Sequence, residues 1–175
     1  SLRTTLAFTS AGGGPKTLHF TSAAPGEGKS VATFSTAMAF ARGGAKVLCI
    51  DADLRNPSLH RVFDVPNDQG LSNFLVSDIQ PAELTRDTAV DGLYLITSGP
   101  LPPNPVELLA SGRMVELLRL AELRFDFVFV DGPPVLGLAD ALVISMMTGA
   151  TLFIIEPGKT RKGALADSVK RMRGS

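Results

Sequence analysis

The sequence has no net charge, a single cysteine and no long apolar run, and each scarcity closes off a class of function. Seventeen Lys and Arg residues balance 17 Asp and Glu residues among 175, so neither nucleic acid nor an anionic membrane is implied as a default partner. Cys49 stands alone; it excludes an internal disulfide and cannot supply the thiolates of an iron–sulfur centre or a structural zinc site. A reducing, cytoplasmic setting is expected. No uncharged stretch exceeds 15 residues, and 141–155, one of that length, is interrupted by Thr148-Gly149-Ala150, too short and too broken to cross a bilayer. No signal peptide is expected from the first residues given. The start at Ser1 and the basic run Lys170-Arg171-Met172-Arg173 at the end read as an excised domain, so the missing span says little of the parent protein.

What is present suits a single globular domain: 45% of residues are hydrophobic and 19% charged, enough to bury a core of ordinary size. No repeat or low-complexity linker divides it. Apolar runs of strand length alternate with segments of helical period, the pattern of an α/β protein built on a mostly parallel sheet. Strands are expected at Thr17–Ser22, Lys46–Asp51, Phe125–Asp131 and Thr151–Glu156, with a fifth at Leu93–Thr97. Helices are expected at Lys29–Arg42, stopped by Gly43-Gly44, at Pro105–Leu123 and at Thr160–Arg173. Residues 56–91 are turn-rich and predict only short helices.

Between the first strand and its helix lies Ser22-Ala23-Ala24-Pro25-Gly26-Glu27-Gly28-Lys29-Ser30. Glycines there let backbone amides turn inward, and the helix N-terminus adds partial positive charge, which together bind polyphosphate. Lys29 would reach the phosphates and the Ser30 hydroxyl would coordinate Mg²⁺, as in the Walker A pattern, although Ala23 replaces its first glycine. The plain alternative is a glycine-rich turn capping a core helix; the position after a strand and before a helix favours nucleotide binding. Acidic residues that hold Mg²⁺ should then lie at the carboxyl ends of other strands. Asp51 and Asp53 end the second strand, and Asp131 ends another in the Walker B manner. Any one of these alone reads as a turn former; three downstream of a phosphate loop read as a site.

These residues resemble the bacterial tyrosine kinases that regulate capsule and exopolysaccharide assembly, a branch of the MinD/ParA-type P-loop ATPases. The resemblance rests on Ser22-x-x-Pro-Gly-Glu-Gly-Lys-Ser30, Asp51-Ala-Asp53-Leu-Arg55-x-Pro57, Val130-Asp131-x-Pro-Pro134 and Leu101-Pro-Pro-Asn-Pro-Val-Glu-Leu-Leu109, and it spans nearly the whole chain. It implies a three-layer α/β/α P-loop fold that binds ATP or ADP with Mg²⁺ and transfers the γ-phosphoryl group to tyrosines in the tail of a neighbouring copy. By carry-over, Ala24, Pro25, Gly26, Glu27, Gly28, Lys29, Ser30 and Val31 hold the nucleotide. Ser30, Asp51, Asp53 and Asp131 surround the metal, and Asp51 or Asp53 receives the tyrosine proton. The partners implied are further copies through the Arg3 region, a polysaccharide co-polymerase membrane domain or activator, and a tyrosine phosphatase, at the cytoplasmic face of the bacterial inner membrane.

The family's tail tyrosines are missing: Tyr94 is the only tyrosine, in an expected strand where a core or edge role fits better. Two other readings use the same site, a MinD/ParA-like ATPase and a nucleotide-gated scaffold for polysaccharide export. Ala24 stands where the positioning ATPases carry a signature lysine, which speaks against the first. The basic residues Lys159, Arg161, Lys162, Lys170, Arg171 and Arg173 read as a solvated helix face or as a surface for a neighbour's tail. Asp126 is expected on an exposed edge, and His19 and His60 as satisfied core or surface histidines.

Overall fold

A computed structural model describes residues 14–135, 139–156 and 162–173. Its first unit is β1 (Thr17–Ser22), α1 (Lys29–Arg42) and β2 (Val47–Asp51). Gly44 stops α1 in the left-handed region at φ 95°, where a side chain would be strained. There follow three short helices, α2 (Leu59–Val62), α3 (Leu71–Val76) and α4 (Pro81–Leu84), a two-residue strand β3 (Arg86–Asp87) and β4 (Leu93–Ile96). The chain continues through α5 (Pro105–Leu109), α6 (Gly112–Arg124), β5 (Phe127–Asp131), α7 (Asp140–Met147), β6 (Ala150–Ile154) and α8 (Lys162–Arg173).

The six strands form one sheet in the order β3-β4-β2-β5-β1-β6. Every pairing is parallel except that of β3 with β4, so the expected mostly parallel sheet is present. Alternation along each strand sends side chains to opposite faces. Val47, Cys49, Leu93, Leu95 and Phe129 join Leu18, Phe20 and the α1 residues Ala37, Phe40 and Ala41 on one side. Leu48, Ile50, Ile96, Val128 and Val130 join Phe74 of α3 and Met114, Leu117, Leu118 and Ala121 of α6 on the other. Each fully buried Leu, Ile or Phe in these two layers contributes about 1.5–3 kcal/mol.

The sequence expectations need four corrections. The single helix expected at Pro105–Leu123 is two, because Ser111 is extended at ψ 157° and its hydroxyl donates to Leu108 O at 2.6 Å, competing with the helical ladder. The break frees Arg113 to lie 3.9 Å over the Phe74 ring and to donate to the Phe74 and Ser77 carbonyls at 3.0 and 2.6 Å, where it satisfies the carboxyl end of α3. Helix α7 starts at Asp140 and takes up the first seven residues of the uncharged stretch 141–155, where the sequence pattern predicts no helix. Asp126 precedes β5 instead of interrupting it, and its Oδ2 accepts the Lys46 amide at 2.7 Å. His19 is wholly buried, and its Nε2 has no partner among the described residues; burial, with the Lys29 charge, lowers its pKa to about 3. In His60, Nδ1 is likewise without a partner among the described residues.

Tyr94 is half-buried in β4, its ring 5.5 Å from that of Phe125, in agreement with the core or edge reading. Lys162, Lys170, Arg171 and Arg173 are exposed on α8, whereas Arg3, Lys159 and Arg161 lie outside the described residues.

Gly70 joins α3 to the end of β4. Leu71 N donates to Thr97 O at 2.7 Å and Ser72 N to Ser98 O at 2.8 Å, and a Cβ on Gly70 would overlap the Thr97 carbonyl and stand 2.5 Å from Gly99 N. Gly70→Ala is expected to destabilise the fold by about 3 kcal/mol, since backbone atoms cannot swing aside as a side chain can. A denaturant midpoint equal to that of the unsubstituted chain would show that residues 97–99 are free to move.

Candidate functional site

The carboxyl ends of β1, β2 and β5 open onto one cavity of about 380 Å³, lined by Pro25, Gly26, Lys29, Ser30, Asp53 and Pro134 among others. This is where a doubly wound sheet places its ligand. The loop from β1 to α1 is built for backbone approach. Gly26 and Gly28 have φ of 78° and 74° with open space where a Cβ would stand, so glycine is required there by backbone conformation and not by crowding. Glu27 folds back so that its carboxylate accepts the Ala24 amide at 3.0 Å. Gly28 then caps α1, a 14-residue helix whose N-terminus carries unpaired amides and partial positive charge.

Register brings the acidic strand ends together, because Asp51 and Asp131 are directly paired across β2 and β5. Asp131 is fully buried. Its Oδ1 accepts Lys29 Nζ at 2.8 Å and Thr33 Oγ1 at 3.1 Å, and its Oδ2 accepts Ser30 Oγ at 2.7 Å. Ser30 also bonds the Ser58 hydroxyl. The sequence-predicted Lys29, Ser30 and Asp131 are therefore in direct contact.

Asp51 and Asp53 differ in their surroundings. Asp51 is fully buried; its Oδ2 accepts the amides of Ser58 and Leu59 at 3.1 and 3.0 Å, and its Oδ1 that of Asp53 at 3.2 Å. Asp53 lines the cavity, and its Oδ1 accepts the Asn56 amide at 3.0 Å. Burial, then the neighbouring Asp131 charge, raises Asp51 to about 7. Burial also raises Asp53, against the opposing hydrogen bond from Asn56.

A carboxyl group raised in the native state holds its proton more tightly there than in the unfolded chain. Stability of the ligand-free protein should accordingly fall as pH rises from about 4 to about 7 and level off above that. Asp51→Asn is expected to reduce this slope in denaturant titrations across that range; identical slopes would refute the origin assigned to it.

Several contacts were not read from the sequence. Thr33 stands four residues after Lys29, on the same face of α1, and that spacing was the available signal. Ser58 and the fork of Arg55 on Asp140 carried none, since their partners are distant in the chain. Gly132 is needed because a Cβ there would overlap the His19 ring.

The residues fit a nucleotide phosphate chain with Mg²⁺. Gly26, Gly28, Lys29 and Ser30 line the cavity with no Cβ crowding the two glycines, and Asp53 stands beside them. Among the described residues no group of three or more His, Cys, Asp or Glu could hold a metal ion alone. Mg²⁺ ordinarily takes only one or two carboxylates and completes its shell with phosphate and water.

Comparisons with known proteins agree in direction. The family described as AAA domain matches residues 16–165. Tyrosine-protein kinase YwqD of Bacillus subtilis (strain 168) is 40% identical over 162 residues, 93% of this chain and 68% of that protein. The solved kinase domain of Escherichia coli tyrosine kinase ETK superposes with a TM-score of 0.94 at 35% identity, covering 99% of this chain and 68% of that one. The septum site-determining protein MinD from Pyrococcus horikoshii, solved with Mg-ADP, shares the fold at a TM-score of 0.76 and 21% identity, over 91% of this chain and 64% of that one.

Proposed function

Since the chain belongs to the bacterial tyrosine-protein kinases within the AAA-domain family, we propose that its cavity binds MgATP and that its side chains direct the γ-phosphoryl group to tyrosines of a neighbouring copy. The chain is a protein-tyrosine kinase by family. The observation that carries the site assignment is that Lys29 and Ser30 both bond Asp131 beside the Asp51–Asp53 pair.

Residues Ala24 to Val31 would hold the nucleotide, the phosphates by the backbone amides that follow Pro25, and Lys29 would neutralise charge on the group in transit. Ser30, Asp51, Asp53 and Asp131 would order the metal, and Asp51 also fixes the turn that carries Ser58 by accepting the Ser58 and Leu59 amides. MgATP, when bound, would supply the phosphoryl group and a divalent cation that offsets its negative charge. The Asp51–Asp53 pair would receive the tyrosine proton, since burial gives both carboxylates raised proton affinity.

Capsule or exopolysaccharide export is the process proposed, with a co-polymerase membrane domain or activator, a tyrosine phosphatase and further copies as partners at the inner membrane. Among the described residues no helix is long and apolar enough to cross a membrane.

Mixing the chain with Mg²⁺, γ-labelled ATP and a Lys29-disabled, tail-bearing copy separates the readings. Label on tyrosine is expected; free phosphate without phosphotyrosine would favour the ATPase. In the same assay Asp51→Asn and Asp53→Asn should each slow transfer at least about tenfold while ADP affinity holds within about threefold. Whichever variant transfers at the normal rate is not the base.

A further inference from the structure

Arg55 and Asp140 lie apart in sequence and outside the cradle, yet they form a forked ion pair at its wall. Asp140 is the first residue of α7, and its side chain is completely buried. A carboxylate so placed needs a counter-charge and filled hydrogen bonds. Arg55 provides both, with Nε on Oδ2 at 2.9 Å and Nη2 on Oδ1 at 3.2 Å. This uses one edge of the guanidinium and locks its plane. The side chain stays 41% exposed and lines the same cavity as Lys29, Ser30 and Asp53. Its Nη1 has no partner among the described residues.

The charge balance of the site gives that second edge a use. Three carboxylates, Asp51, Asp53 and Asp131, stand near one lysine, and Lys29 is already 2.8 Å from Asp131. Of the charged residues lining the cavity, Lys29, Asp53 and Arg55, only Arg55 adds a cation whose own counter-ion lies behind the wall. A phosphoryl group in flight spreads negative charge over three oxygens and is stabilised by a fixed donor more than by a mobile one.

Resting on the kinase reading above, we propose that Arg55 is a further catalytic residue that contacts an oxygen of the phosphoryl group as it passes to tyrosine, and that Asp140 is its positioning residue. In that step the bond between the γ-phosphorus and the bridging oxygen breaks, and its electron pair stays on ADP. The tyrosine oxygen forms the new bond to phosphorus, and its proton goes to the Asp51–Asp53 pair. Arg55 keeps its proton throughout.

The test is steady-state transfer from ATP to a poly(Glu-Tyr) copolymer, with ADP binding measured in parallel. Arg55→Ala is expected to lower kcat about a hundredfold or more while ADP affinity changes less than about threefold. Guanidinium ion added to that variant should restore part of the rate and do nothing for Lys29→Met. Asp140→Asn should lower kcat about tenfold with ADP affinity kept, and the double variant should be no slower than Arg55→Ala alone. Normal kcat in Arg55→Ala, or a loss of ADP affinity as large as the loss of kcat, would overturn the catalytic role; additive losses in the double variant would overturn the positioning role. Lys29→Met separates the two levels. If it is silent while Arg55→Ala is fully active, only the Arg55 assignment falls, and if Lys29→Met itself transfers normally the kinase site is wrong.

Discussion

Lys29→Met is expected to reduce phosphotyrosine formation by at least about a thousandfold, because the lysine is the cation that the cradle offers to the transferred group. Methionine is an adequate helix former at the start of α1, so the helix itself should survive. The substitution has a second consequence that can imitate a catalytic one. Asp131, wholly buried and 2.8 Å from the Lys29 ammonium, would be left with only the Ser30 and Thr33 hydroxyls. Removing one partner of a buried pair costs about 3–5 kcal/mol.

The two effects come apart in the double variant Lys29→Met/Asp131→Asn, which removes both charges. Its melting temperature should recover toward that of the unsubstituted chain while transfer stays absent. Recovery of transfer together with stability would mean that Lys29 serves the fold alone.

Asp131→Asn by itself is the second large effect. Asparagine can turn its amide nitrogen toward Ser30, whose hydroxyl can accept, and keep its oxygen toward Lys29 and Thr33. The hydrogen bonds are thus retained but the buried Lys29 ammonium loses its counter-charge, so the cost in stability should be about 1–3 kcal/mol, below that of Lys29→Met. The charge is not retained. Transfer is expected to fall about a hundredfold, and the gain in ADP affinity that Mg²⁺ confers should disappear.

Loss of the Asp131 charge should also lower the proton affinity of Asp51, since that charge is the second cause of its elevation, after burial. The Asp51 carboxyl resonance in a titration followed by NMR would then move to lower pH. Nucleotide binding with an unchanged Mg²⁺ dependence in Asp131→Asn would remove Asp131 from the metal's surroundings.

The site was legible in the sequence as far as its parts are local. Ser22 to Ser30 carry their own instructions, since glycines set the loop and the following helix sets the dipole; β1 and α1 begin and end where the spacing places them. The strand ends at Asp51 and Asp131 were visible because apolar runs stop there. Less was visible where local propensity lost to distant contacts. Nothing in Pro105 to Leu123 announces that Ser111 will break the helix; the break matters because Arg113 must reach carbonyls on α3. His19 reads as an ordinary strand histidine, and only the packed sheet shows its Nε2 buried with no partner among the described residues.

The sequence by itself determined the strand–loop–helix cradle, the parallel sheet and the family, because each follows from residues close together in the chain. Tertiary structure alone decided that Asp51 faces Asp131 across β2 and β5 and that Thr33 and Ser58 join Ser30. It also decided that Arg55 rests on Asp140 at the cavity wall. Those relations depend on strand order and register, which put residues tens of positions apart within hydrogen-bond distance. No local pattern of side chains encodes such a distance; it emerges when burial of both sheet faces selects one packing of all the elements together.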